Sequence, residues 1–243
     1  GLLLTGLTLA LIVSLAGSAQ ATLWTNANGT GIWNDALNWD PVLPHQASPD
    51  GAVVIQSTPG PILQAAGETW SLVLVGTSSD LTIDGGVLTT KYDVSVGDQV
   101  LDAGTITVNS GTFNCGYNMH IGHLGTGALN MTGGDFTIAL GFYVATRAGS
   151  TGHVQLDGGT ITTPAFEIGE YLGTPGGVAT MDITGDGTLI IDGDARIVVQ
   201  GYIDDYLITA YGGTGTVLLD YNTTNPGKTT LKAIGYRLNM IPP

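Results

Sequence analysis

From residue 80 onward the chain repeats itself. Five segments begin alike: Leu81-Thr-Ile-Asp-Gly-Gly86, Ile106-Thr-Val-Asn-Ser-Gly111, Leu129-Asn-Met-Thr-Gly-Gly134, Val154-Gln-Leu-Asp-Gly-Gly159 and Met181-Asp-Ile-Thr-Gly-Asp186-Gly187. Measured from turn glycine to turn glycine, the steps are 25, 23, 25 and 28 residues. Each turn leads into a second short run, Val87-Leu88-Thr89, Thr112-Phe113-Asn114, Asp135-Phe136-Thr137, Thr160-Ile161-Thr162 and Thr188-Leu189-Ile190. A third follows as Val94-Ser-Val-Gly97, Met119-His-Ile-Gly122, Phe142-Tyr-Val-Ala145 and Phe166-Glu-Ile-Gly169. Three runs of period-two alternation per unit, separated by Gly, Asn and Asp, read as three strands.

A period in the twenties is the mark of a solenoid, because one such unit cannot bury its apolar face alone. Stacking sets like residues above like. Ile83, Val108, Met131, Leu156 and Ile183 form one inward ladder, and Leu88, Phe113, Phe136, Ile161 and Leu189 a second. Val96, Ile121, Val144 and Ile168 form a third. Roughly six inward side chains per coil, at ~1.5–3 kcal/mol each, offset much of the ordering entropy. The expected fold is all-β: a right-handed parallel β-helix with three strands per coil of about 25 residues, the hand following from the rule for parallel crossovers. An antiparallel sandwich also has many short strands but gives no reason for the aligned repetition.

Composition narrows the partners. With 6 Lys+Arg against 20 Asp+Glu, the net charge is -14, which disfavours nucleic acid and anionic membrane surfaces. The single cysteine, Cys115, excludes an intramolecular disulfide and a cysteine-based zinc site. Charged residues make up only 11% of the chain while 43% is hydrophobic, so a packed core is expected and a disordered tail is not.

Leu2 to Ala16 is an uncharged apolar run followed by Gly17-Ser18-Ala19-Gln20-Ala21, the h-region and Ala-x-Ala site of a secretory signal peptide spanning residues 1–21. At about 15 residues it is short of the ~20 a membrane-spanning helix needs, so no membrane span is expected in the mature chain. The missing initiator Met and basic n-region suggest that the first residues have been lost. Residues 22–50 hold Trp24, Trp33 and Trp39 and read as an atypical N-terminal cap, since the first coil of a solenoid exposes raw core and sheet edge. The same three rings are candidate platforms for stacking sugars. Residues 51–241 carry the β-helix repeats, with Thr216–Asp220 and Thr229–Ile234 as final strands.

The segment Trp24-Thr-Asn-Ala-Asn-Gly29 … Gly31-Ile-Trp33-Asn … Leu37-Asn-Trp39 … Pro44 resembles the start of secreted bacterial proteins built on autotransporter-associated β-strand repeats, common in planctomycete-like bacteria. The resemblance covers essentially the whole mature chain. It implies a β-helix and carries no catalytic residue. Many such proteins end in a Pro-Glu-Pro sorting signal with an apolar helix and an Arg cluster. Here the chain stops at Ile241-Pro242-Pro243, so that anchor is expected to be absent or truncated away.

No nucleophile elbow, P-loop, HExxH or EF-hand loop occurs in the sequence. Asp186, Asp192 and Asp194 among glycines are weak calcium candidates, although Asp and Gly are also ordinary turn formers. The stacking places His120 outward beside Ser95, Tyr143 and Glu167, followed by Asp98, His123, Thr146 and Glu170, with Arg147 and Tyr171 alongside. A β-helix polysaccharide lyase or hydrolase would draw on Arg147, His123, Glu167 and Glu170 as base, cation and carboxylates. As a binding surface the same face offers His120, Tyr143 and Tyr171.

The expected role is a secreted or cell-surface structural or adhesion-type rod without catalysis, contacting extracellular polysaccharide or matrix through the polar ladder Thr82, Thr107, Asn130, Gln155 and Asp182. Self-association of copies is compatible with this role, and no cofactor is required unless calcium binds. A carbohydrate-active enzyme and a carbohydrate-binding module stand as alternatives.

Overall fold

The computed structural model describes residues 21–45 and 52–235. Residues 1–20 of the segment read as a signal peptide, and the terminal Ile241-Pro242-Pro243, lie outside the described residues. The chain forms a parallel β-solenoid of about 6 turns, with about 25 residues per turn. Its middle is built from the long strands Ser79–Thr90, Ala103–Cys115, Thr126–Ile138 and Thr151–Thr163, alternating with the short strands Val94–Val96, Asn118–Ile121, Gly141–Val144 and Ala165–Ile168. Long strands pair in parallel with long ones and short with short, so two sheets run along the axis. Parallel pairing from coil to coil excludes the sandwich.

The register is the one the repeats imply. Ile83 faces Val108, which faces Met131, Leu156 and Ile183 in turn; Leu88 leads likewise through Phe113, Phe136 and Ile161 to Leu189. Every one of these side chains is buried. The outer ladder Thr82, Thr107, Asn130, Gln155 and Asp182 is in register too, and Thr209 extends it by one rung.

One expected feature differs. In four of the five units the first two strands are halves of a single bent strand, with the Gly-Gly or Ser-Gly step between them a break in register within it, whereas in the fifth Val178–Ile183 and Thr188–Asp192 stay separate. Gly111 shows why the bend needs glycine. Its φ is +92°, and an added Cβ would run into the Gly86 carbonyl oxygen of the preceding coil. The chain thus turns its corner while the ladder continues on either side.

The opposite corner absorbs the variation in coil length. Gly97, Gly122, Ala145 and Gly169 occupy equivalent rungs, and Gly104, Gly127, Gly152 and Ala179 share a rung of the following long strands. The connections 97–104, 122–127, 145–152 and 169–179 differ in length, whereas the remainder of each coil is nearly constant. All four leading residues have positive φ, including Ala145 at +55°.

Both ends abandon the parallel pattern. At the N-terminus, Trp39–Asp40 pairs antiparallel with Thr22–Trp24. Trp24 and Trp33 both pack edge-on to Trp39, with ring centres 4.9 and 4.8 Å apart. Asn38, fully buried, ties the loop by donating to Thr30 Oγ1 and the Ile32 carbonyl and accepting from the Asn28 amide. The three indoles are 2%, 0% and 5% exposed, so the proposed sugar platforms on Trp24, Trp33 and Trp39 do not exist: these rings plug the open end of the core.

At the other end the expected final strands, Thr216–Tyr221 and Lys228–Ile234, form an antiparallel hairpin, and the second pairs antiparallel with Thr188–Asp192. Helix α1, Arg196–Asp204, was not foreseen. Its Tyr202 ring packs edge-on against Phe166 of the last short strand, closing that sheet. No described helix is long and apolar enough to cross a membrane.

Candidate functional site

The face singled out in the sequence is the outer side of the short-strand sheet. Alternation turns Met119 and Ile121 inward and His120 outward. The register aligns His120 with Ser95 and Tyr143, and Tyr143 with Glu167, as expected. His120 and Tyr143 stack with ring centres 5.3 Å apart and planes 22° apart. His120 also stacks on His123 at 5.0 Å.

A small hairpin completes the cluster. Glu170–Tyr171 pairs antiparallel with Thr174–Pro175 in the long connection after Gly169. This folds Tyr171 back over the sheet, edge-on to Tyr143 at 4.9 Å and 5.8 Å from His120. The Arg147 guanidinium lies 5.1 Å from the Tyr171 ring centre, a cation–π contact on the solvent side. Glu167 anchors the hairpin by accepting from the Leu172 amide at 2.6 Å.

Burial sets the electrostatics. His120 is pushed down to about 4, first by desolvation and then by neighbouring His123, with Asp98 opposing and Arg147 adding a little. Its Nδ1 is buried without a hydrogen-bond partner. The imidazole is therefore held neutral and shielded from solvent. His123 Nδ1 lies 3.1 Å from Asp98 Oδ1, and the hydrogen bond from His123 is the main reason that Asp98 is held below the ordinary carboxylate range. Burial raises the Tyr143 phenol, with Glu167 and Tyr171 adding to it.

Glu170 departs from the expected group. Its carboxylate accepts from the Tyr202 hydroxyl of α1 and so faces the C-terminal cap. The phenol is raised by burial first and by this bond second. Of the four residues assigned to a lyase or hydrolase, Glu167 and Glu170 are thus committed to structural partners, while Arg147 rests on Tyr171. Only His123, with Asp98 orienting it, retains the arrangement of a base and its positioning partner.

The calcium candidates do not converge. Asp192 pairs with Lys228 at 2.6 Å, and Asp194 holds Arg196 through both carboxylate oxygens at 2.8 Å. Asp186 contributes its carbonyl to Thr188 Oγ1. Among the described residues no group of three or more His, Cys, Asp or Glu is placed to hold a metal ion. Cys115 is buried, its thiol pushed up to about 11 by desolvation, as suits a small core residue.

A second outer feature escaped the sequence reading. Tyr92 and Tyr117 each stand between the end of a long strand and the start of a short one, and Trp70 stands between the four-residue strands Ala66–Thr69 and Ser71–Leu74, so the three share one corner of three successive coils. Their separations in sequence, 22 and 25 residues, match the coil step and were the available signal.

No protein-family model, curated protein or solved structure matches this chain.

Proposed function

We propose that the protein is a non-catalytic extracellular rod, secreted or held at a cell surface, that contacts polysaccharide or matrix through repeated outer side chains. The carrying observation is a contrast between two outer features. The His120 cluster is closed on itself, whereas the ladder Thr82, Thr107, Asn130, Gln155 and Asp182 repeats one polar position on five successive coils. Many weak hydrogen bonds on a rigid frame add up through effective concentration, with no deep pocket needed.

Export is supported by the signal-like run at residues 1–21, and the kinship proposed with autotransporter-associated repeat proteins by the Trp24-to-Pro44 segment, which forms the N-terminal plug. The net charge of -14 favours neutral over polyanionic glycans.

A second reading, a lyase or hydrolase, is favoured by the Asp98–His123 pair beside Arg147. The test is electrophoresis through native gels containing embedded polysaccharides, with calcium present. Retarded migration without loss of polymer is the expected result. A cleared zone abolished by His123→Ala would establish the enzyme instead, and unaltered migration in every gel would overturn glycan contact.

A further inference from the structure

We propose that the corner column Trp70–Tyr92–Tyr117 is a binding site for an extended neutral polysaccharide lying along the solenoid axis, with successive sugar rings packed on successive aromatic rings. The proposal rests on the glycan-contacting reading above and gives it a location and a ligand class.

The column is built by the repeat. The Tyr92 amide donates to the Trp70 carbonyl at 2.7 Å, and the Leu140 amide to the Tyr117 carbonyl at 3.1 Å, so the corner is hydrogen-bonded from coil to coil. Ring centres are 4.7 Å apart from Trp70 to Tyr92 and 6.4 Å apart from Tyr92 to Tyr117. Leu140 carries the apolar line one coil further. An extended β-linked hexose chain advances by about one ring length per residue, close to the ~4.8 Å rise between stacked strands. Ligand and rod therefore share a repeat, and each added coil can add one stacking contact.

The two tyrosine rings face water, while Trp70 is half-buried beneath Lys91. Tyr92 is 38% exposed and Tyr117 is 43% exposed, in a molecule that buries its N-terminal indoles completely and seals Tyr143 beneath Tyr171. Successive planes are tilted by 48° and 57°, an ordinary aromatic packing geometry, so the openness of the column rests on the exposure of Tyr92 and Tyr117. Exposed aromatic surface repeated in line is costly to leave in water and marks a contact site.

Polarity completes the match. Lys91 Nζ sits over the Trp70 ring, 4.0 Å from its centre, and 5.6 Å from that of Tyr92, a cation–π contact that puts one hydrogen-bond donor on the column and leaves the two tyrosines as its open rings. A sugar has an apolar C–H face and a rim of hydroxyls. The rings fit the face, while the Lys91 ammonium and the two phenols fit the rim. With a net charge of -14 behind it, the column selects uncharged chains over uronates.

The test is fluorescence titration with cellohexaose, xylohexaose and oligogalacturonate, alongside gels containing hydroxyethyl cellulose, xylan or polygalacturonate. A neutral oligosaccharide is expected to change tryptophan emission in the parent protein, and Trp70→Phe is expected to remove that change. Tyr92→Ala with Tyr117→Ala is expected to weaken binding at least tenfold at an unaltered melting temperature, whereas Tyr92→Phe with Tyr117→Phe retains it. Should the double alanine variant melt early, Tyr117→Ala alone supplies the same comparison.

Retardation by neutral gels that survives the alanine variants would overturn the column and leave the glycan reading standing. Tighter binding of oligogalacturonate than of either neutral chain would overturn the ligand class. No emission change and no retardation with any of these polymers would overturn both.

Discussion

The middle coils and the two ends meet the same requirement by opposite means. Between Ser79 and Thr163 each strand finds its neighbour by copying it: like residues stack, pairing is parallel, and every coil is both support and supported. At the ends there is no further copy. The N-terminus closes with three indoles and an antiparallel strand, the C-terminus with an antiparallel hairpin and a helix. Repetition can build a core of any length but cannot finish one. Finishing takes residues that break the pattern.

The largest expected effect lies in the middle. Gly122 has φ +74°, and an added Cβ would collide with the Thr151 carbonyl oxygen of the next coil. Gly122→Ala is expected to cost more than about 4 kcal/mol, seen as loss of the folded state in denaturant titration. Gly29 in the N-terminal cap has a similar φ, +69°, with nothing within 4 Å of an added Cβ. Gly29→Ala is therefore expected to cost only about 1–2 kcal/mol. Equal losses would mean that backbone conformation matters at these sites and coil-to-coil approach does not.

Next come paired core truncations. Phe136→Ala in the middle and Trp39→Ala in the plug are each expected to cost about 3–5 kcal/mol. They should differ in association. Trp39→Ala opens a sheet edge and core to solvent and is expected to form concentration-dependent oligomers in sedimentation experiments, while Phe136→Ala stays monomeric. Matching behaviour would remove the distinction between plug and coil.

The smallest effect concerns acid. Folded His120 titrates at about 4 against a reference of 6.5, so between those values the unfolded chain binds the extra proton. Stability is full above about pH 6.5, falls as pH drops through this window, and levels off near pH 4, by about 3 kcal/mol at most. The groups around the ring are His123, Asp98, Tyr143, Glu167, Tyr171 and Arg147. Asp98, held low, adds its own loss only as pH falls below 3.8. His120→Phe is expected to flatten the melting temperature between pH 7 and 5. An unchanged slope would place the acid sensitivity elsewhere, for instance in the caps.

What the sequence disclosed follows the same division. The three inward ladders and the outer alignment of His120 with Ser95 and Tyr143 were legible because stacking turns sequence spacing directly into spatial neighbours. The bent strand was not, since a Gly pair reads as a turn whether or not the ladder continues beyond it. Nor was α1: Ile197, Val198 and Val199 are β-branched and Gly201 is a poor helix former, so local preference pointed away from a helix that packing on the last coil imposes. Tryptophans at 24, 33 and 39 carry no mark of burial in their spacing, while Trp70, Tyr92 and Tyr117 did carry the coil period. Glu170 was misplaced because its partner, Tyr202, belongs to the helix that was not foreseen.

The corner of unequal connections has a practical consequence. Residues 97–104, 122–127, 145–152 and 169–179 show that the rod accepts different amounts of chain at one place on its circumference while the frame keeps its register. A foreign peptide inserted between the exposed Val100 and Leu101 would be carried outward while the ladders on either side keep their register, at an entropic cost that grows only slowly with its length. Inserts at successive corners would stand in a row about 4.8 Å apart, the strand spacing itself. The molecule is thus a ruler with one editable edge, on which peptides can be set out at fixed intervals.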